Sequence, residues 1–227
     1  MNCLQIPTCE NIVLAAHCIM ASIKLPRQAG AILLPKSVTF PHGVLPLHIF
    51  EPRYRDMIDD AMSSNRMMCV ANLRKNESLN LADCTSKIGY IGIIRASAKQ
   101  DDGCSNLILH CLSRVEFRSW ENGAAYPMAN IKPLVNTRKE HTEANDITMR
   151  SLRDAIARHL SKSPDLLVKK TNEILDRFDK DLDTLTDVIA QQFIDKPNLR
   201  QSLLEDLDPV SRAESLIRYL RMRQYII

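Results

Sequence analysis

Beyond a polar stretch at residues 137–145 (TRKEHTEAN) the chain contains no glycine, and its apolar residues recur at helical spacing to the end. That absence constrains the fold strongly, because glycine supplies the positive-φ turns that tight hairpins need. A region of this length without it cannot be a meander of short strands. Met149, Leu152, Ile156 and Leu160 make one stripe. Ser163-Pro164-Asp165 signals the start of a second, with Leu167, Thr171, Ile174, Leu175 and Phe178 on one face. Leu182, Leu185, Val188, Ile189 and Phe193 make a third, which Pro197 stops. Asp208-Pro209 opens the last, with Val210, Ala213, Ile217 and Leu220 inward. The spacing predicts an all-α helical bundle over residues 137–227.

Residues 31–136 follow a different pattern. Ile32-Leu33-Leu34 and Val44-Leu45-Pro46-Leu47 are short apolar segments set off by Pro35, Pro41 and Gly43. Met67–Leu73 (MMCVANL) reads as a buried strand. Ile88–Ala96 (IGYIGIIRA) carries glycines at 89 and 92, as strands do at bulges or close backbone approaches. Gln100-Asp101-Asp102-Gly103 is a hairpin turn that pairs this strand with Leu107–Phe117. Tyr126–Leu134 (YPMANIKPL) reads as a final edge strand, where its prolines are best tolerated. One helix interrupts this half, because Tyr54, Met57, Ile58, Ala61 and Met62 keep the i, i+3, i+4 period after Pro52. The predicted class is α+β: a β-barrel or half-barrel with an inserted helix, followed by a helical bundle. Residues 1–30 form a separate N-terminal segment. Asn11–Ile23 is apolar but shorter than the ~20 residues a membrane span needs. Met20 opens a more natural beginning, so residues 1–19 are expected to be poorly ordered or outside the native product.

The joint between strand and helix, VLPLHIFEPRYRDMIDDAM, gathers unusual chemistry. Arg53 and Arg55 flank Tyr54, which belongs to the buried stripe. Glu51 stands at the helix start, where it suits the macrodipole and can accept first-turn amides. The arginines can pair with Glu51 or with strand-end carbonyls, which makes the stretch a structural lock. Guanidinium also suits bidentate capture of a carboxylate or phosphate, which keeps a ligand role open.

Composition excludes several function classes. Thirty basic residues stand against 27 acidic ones, a net charge of +3 that argues for neither nucleic acid nor membrane. The seven cysteines form no C-x-x-C, so they read as small buried hydrophobes in a reducing cytoplasm. No phosphate-binding G-x-x-x-x-G-K-[ST], no GxSxG elbow and no HExxH is present. Ser161-Lys162 are neighbours at a helix end rather than a converging dyad. His42 and His48 lie nearest in sequence, yet His48 sits in an apolar strand and reads as a hydrogen-bonded structural residue. These observations predict no enzyme, no metal and no cofactor.

The same residues carry a family resemblance. Phe40-Pro41-His42-Gly43 followed by LPLHIFEPRYRDMIDDAM resembles the hallmark of the Lon protease N-terminal (Lon substrate-binding) domain in its stand-alone bacterial form. The likeness continues through IGYIGIIRA, LSRVEF and the late LDPVSRAESLIRYL, and covers roughly residues 31–222. It departs at Glu116-Phe117, where the family tends to have EG-R-F. The resemblance implies a PUA-like barrel, a helical part, and recognition of protein without proteolysis. Phe40, Pro41, Gly43, Pro46, Phe50, Glu51, Pro52 and Tyr54 carry its structural motif. Candidate contacts for an unfolded or extended polypeptide, or for a partner such as a protease or chaperone, are Arg53, Arg55, His48, Met62 and Met68. Two alternatives stand beside this. One is RNA binding through Arg53, Arg55, Arg66, Arg74, Lys75, Lys99 and the late Arg218, Arg221 and Arg223. The other is a small-molecule enzyme using His48, Arg53 or Arg55 in a cleft between barrel and bundle. RNA has little to stack on, since aromatics are 5% of the chain and Trp120 is the single tryptophan.

Overall fold

The computed structural model describes residues 23–74, 80–121, 123–137 and 143–223. The expectations for residues 1–19, Cys3, Cys9, Cys18 and Lys75 lie outside the described residues. The chain divides into two compact units, one ending at Leu134 and the other beginning at Val135.

The first unit contains β1 (Gln28–Pro35), β2 (Val44–Ile49), α1 (Pro52–Met62), β3 (Met67–Leu73), a single turn α2 (Leu81–Cys84), β4 (Ile88–Lys99), β5 (Ser105–Trp120) and β6 (Met128–Pro133). The strands lie in the order β2-β5-β4-β3-β1-β6, and β6 also pairs with β5. That second pairing closes β1, β3, β4, β5 and β6 into a barrel. Tyr126–Leu134 is therefore not an edge. β6 bonds β1 through Met128, Ala129 and Asn130, and β5 through Ala129–Pro133. Its prolines are tolerated because Pro127 precedes the strand and Pro133 ends it. The open edge belongs instead to β2, which among the described residues pairs only with β5.

The barrel interior is lined by Ala29, Ala31, Met67, Cys69, Ala71, Ile91, Leu112, Val115, Phe117, Ala129 and Ile131. So many small side chains follow from geometry, since a narrow barrel leaves little space at its axis. β3 is buried on both faces, so Met68, expected to meet a partner, is fully enclosed (0% exposed). Its position is opposite Met67 and Cys69 on the pleat. The glycines of β4 are required by close approach. A Cβ at Gly89 would lie 2.4 Å from the Val70 carbonyl, and one at Gly92 2.8 Å from that of His110. A register shift sits between Ile91 and Gly92, as the sequence predicted for a bulge.

The second unit is helical: α3 (Glu143–His159), α4 (Asp165–Arg177), α5 (Leu182–Phe193), α6 (Pro197–Glu205) and α7 (Pro209–Arg223). α7 packs against α3 and α5. Pro197 does more than stop a stripe. It occupies the first turn of α6, a helix that the apolar spacing did not reveal, where its missing amide costs nothing. Arg200 bonds back from α6 to the Ile194 (2.9 Å) and Gln191 (3.3 Å) carbonyls at the end of α5.

A buried guanidinium organises this unit. Arg212 is 1% exposed and donates to Thr186 Oγ1 (3.2 Å), Asn136 Oδ1 (3.3 Å) and the Asp206 carbonyl (2.9 Å). It also pairs with Asp183, and with Asp187 at 3.5 Å. Removing it leaves the buried Asp187 without its cation. Arg212→Met is expected to destabilise the chain by about 3 kcal/mol in urea unfolding. Arg212→Lys should not restore the loss, because one ammonium cannot reproduce the fork.

Candidate functional site

The strand-to-helix joint is where the sequence placed most of its candidates, and the structure sets them on β2 and along α1. Pro52 sits in the first turn of α1, and the Glu51 carbonyl accepts the amides of Tyr54 and Arg55 (3.0 Å each). The Glu51 carboxylate does not cap the helix amides, contrary to expectation. It is drawn instead to Arg53, with Nη2 at 2.8 Å and Nε at 2.9 Å, because a charged donor attracts it more strongly than a neutral amide. The Arg53 guanidinium also lies 4.6 Å from the centre of the Tyr54 ring. Tyr54 is 2% exposed, and its hydroxyl oxygen accepts the Leu33 amide of β1 (3.2 Å). Burial pushes that hydroxyl above its ordinary pKa.

Arg55 reaches the other way. Its Nε donates to the Phe50 carbonyl (2.8 Å), Nη1 to the Asp102 carbonyl (3.1 Å) and Nη2 to Cys104 Sγ (3.3 Å). One side chain thus ties α1 to the tip of the β4–β5 hairpin. The tip is shaped to receive it. Gly103 has φ +80°, and a Cβ there would stand 2.8 Å from Arg55 Nη1. Asp102 Oδ1 accepts the Cys104 amide (2.8 Å), and that bond holds its carboxyl below the usual carboxylate range.

Of the remaining candidates Phe40 and Gly43 are buried, whereas His48, Phe50 and Met62 are exposed. His48 Nδ1 lies 2.8 Å from Asn106 Oδ1, and the His48 ring stacks on Phe50 with centroids 6.1 Å apart. Phe50, taken as part of the structural motif, has its ring 58% exposed. Alternation along β2 explains this: His48 and Phe50 share the face opposite the buried Ile49. That two-residue spacing was the signal available in the sequence. Met62 is 37% exposed at the end of α1, whereas Met57 and Met67 are core.

Two features were not anticipated. His110 on β5 is 1% exposed, and Arg95 Nη2 approaches its Nδ1 at 3.3 Å, while Nε2 has no partner among the described residues. Burial, with the Arg95 and His42 charges nearby, pushes its pKa down to about 4. The helical unit has an open cleft of about 790 Å³ lined by Asp146, Met149, Arg150, Arg153, Asp176 and Asp179. Arg153 bridges it to Asp176 at 3.1 Å. Among the described residues no group of three or more His, Cys, Asp or Glu side chains could hold a metal ion.

The model of the family described as the ATP-dependent protease La (LON) substrate-binding domain matches residues 30–222. The Lon protease of Desulfosudis oleivorans is 24% identical over 207 residues, which is 90% of this chain and 25% of that protein. The Lon protease of Elusimicrobium minutum is 26% identical over 215 residues, covering 89% of this chain and 24% of its own. The chain therefore spans about a quarter of the length of these curated relatives. Among solved structures, the N-terminal domain of Mycobacterium avium complex Lon protease superposes with a TM-score of 0.65 at 17% identity, covering 86% of this chain and 98% of that one. The Lon N-terminal domain protein from Xanthomonas campestris gives a TM-score of 0.61, also at 17% identity, covering 85% and 98%. At that identity the structural likeness speaks for the fold.

Two outcomes follow from the geometry. Arg55→Ala is expected to lower stability by about 2 kcal/mol, because three acceptors lose a charged donor. Arg53→Ala should cost under about 1 kcal/mol, since its ion pair is exposed to water. Chemical denaturation of both variants checks the contrast. For His110, the folded pKa lies below the unfolded value near 6.5, so the unfolded chain takes up the proton first. Its contribution is present above pH 6.5 and is lost as the pH falls towards 4. Thermal melts across that window should show wild type losing more stability than His110→Gln.

Proposed function

The chain belongs to the ATP-dependent protease La (LON) substrate-binding domain family, and on that premise we propose that it is a recognition module that holds unfolded or extended polypeptide without catalysing a reaction on it. A protein partner such as a protease or chaperone is the natural recipient of what it holds. The observation that carries this reading is the pair of exposed apolar side chains that bracket α1. Phe50 is 58% and Met62 37% exposed, at the two ends of α1. Large apolar side chains left in water at a built joint suit the apolar segments of an unfolded chain. The adaptable thioether of Met62 suits ligands of varied sequence.

The cations support this reading over RNA binding. Arg53 is paired with Glu51, Arg55 with the hairpin, Lys99 with Asp59 at 2.8 Å, and Arg223 with Asp195 at 2.7 Å. Arg74 donates to Ser86 Oγ at 3.1 Å. Charges committed in this way contribute little to a phosphate track. Trp120 is stacked on Phe117 with centroids 5.0 Å apart, so its inner ring face is already covered. The enzyme alternative has less support, because His48, Arg53 and Arg55 each hold a structural partner and form no acid–base pair. A cytoplasmic site of action is part of the proposal. Cys69, Cys84, Cys104 and Cys111 are buried thiols, which suits a reducing compartment. Among the described residues no helix is long and apolar enough to cross a membrane.

The test is binding of the purified chain to a permanently unfolded protein and to a mixed single-stranded RNA, each at low and high salt. Salt-resistant binding to the unfolded protein is expected, as apolar contacts predict. Phe50→Ser should weaken it by about tenfold with the melting temperature unchanged. Salt-sensitive binding to RNA alone overturns the reading.

A further inference from the structure

We infer that the outer edge of β2 is where an extended polypeptide docks, adding its backbone to the sheet as a further strand; the inference rests on the recognition role proposed above. β2 ends the sheet order, and among the described residues no strand pairs with its outer side.

Two hydrogen bonds set the direction of its backbone groups. The Cys111 amide donates to the Gly43 carbonyl (2.9 Å), so that carbonyl faces β5. The Gln100 amide donates to the Cys104 carbonyl (2.8 Å) at the end of the hairpin, so Cys104 faces β4. With the register Leu45↔Leu109, Leu47↔Leu107 and Ile49↔Ser105, alternation turns residues 45, 47 and 49 towards β5. Val44, Pro46 and His48 then face the open edge. They present two amide donors, at Val44 and His48, and three carbonyl acceptors. The absent donor is that of Pro46, placed where it costs the β2–β5 ladder nothing.

This pattern disfavours a second copy paired symmetrically about Pro46. A second copy of the chain pairing two-fold about Pro46 would set each Pro46 carbonyl opposite a ring nitrogen that carries no hydrogen, so the central pair would form no bond. An unrelated extended strand donates an amide to the Pro46 carbonyl, so only its own carbonyl opposite the Pro46 nitrogen goes unbonded. Side chains add the apolar part of the match. Val44, Pro46, His48 and Phe50 fall at every second position on one face, and the Phe50 ring stacks on His48 at its end. The fitting ligand is an extended segment of unfolded polypeptide with apolar residues at alternate positions and a free N–H opposite Pro46.

Residue-resolved amide hydrogen exchange of the whole chain tests this, with and without reduced, carboxymethylated lactalbumin as the unfolded probe. The Val44 and His48 amides are expected to exchange fast in the free protein and at least about tenfold more slowly in the complex. The amides of Leu45, Leu47 and Ile49, bonded to β5, should be protected in both states. Binding that leaves Val44 and His48 unchanged overturns strand addition while the recognition role stands. Absence of binding overturns both. Protection of the two amides already in the free protein also overturns the inference, because the edge is then taken.

Discussion

The first unit depends on one strand being long enough to bond three others. β5 runs for 16 residues, Ser105–Trp120. Along one side it pairs with β4, and along the other with β2 through residues 105–110 and with β6 through residues 115–120. A shorter strand could hold β2 or close the barrel through β6, but not both. Closure removes the edges of five strands and concentrates the unpaired backbone of the sheet on β2. The small interior of alanines and Cys69 is the packing consequence of that closure, since five strands enclose little volume.

The strand-to-helix joint then fixes what surrounds the exposed edge. Tyr54 locks α1 to β1 by burial and by the Leu33 amide, and Arg55 locks the same helix to the β4–β5 tip. Two arginines that look equivalent in EPRYR differ in consequence: Arg53 forms a solvated pair, while Arg55 spans elements 47 positions apart in the chain. With the helix held, Phe50 is carried out into water instead of folding back onto the core. The helical unit has its own lock in Arg212, whose acceptors come from α5, from the segment before α7 and from Asn136. A buried guanidinium of this kind specifies one arrangement because few others satisfy all its donors.

Much of this was legible from local pattern. Met67–Leu73 is bounded as the apolar run predicts, and the Gly103 turn adopts positive φ where Asp-Gly demands it. The stripes at 149–156, 182–193 and 210–220 lie on helices with those residues mostly buried, and Leu160 follows just past the end of α3. Other features were hidden for physical reasons. α6 escaped because a proline reads as a stop as readily as a start. The glycine-poor apolar run of β3 does not say whether one face or both will be covered, so Met68 could be taken for a contact. His110 stands out only when burial is known, because a lone histidine in a strand carries no spacing signal.

The sequence by itself determined the periods, the turns, the caps and the motif that marks the family, since each rests on residues a few positions apart. Only the tertiary structure decided that β6 closes the barrel and that β2 is left as the edge. It also decided that Arg55 ties α1 to the β4–β5 tip, and that Phe50 faces water. Those outcomes depend on hydrogen bonds and packing between residues far apart in the chain, such as Arg55 with Asp102 and Trp120 with Ala129. No local preference encodes such a pairing, because either partner could satisfy its own short-range chemistry elsewhere.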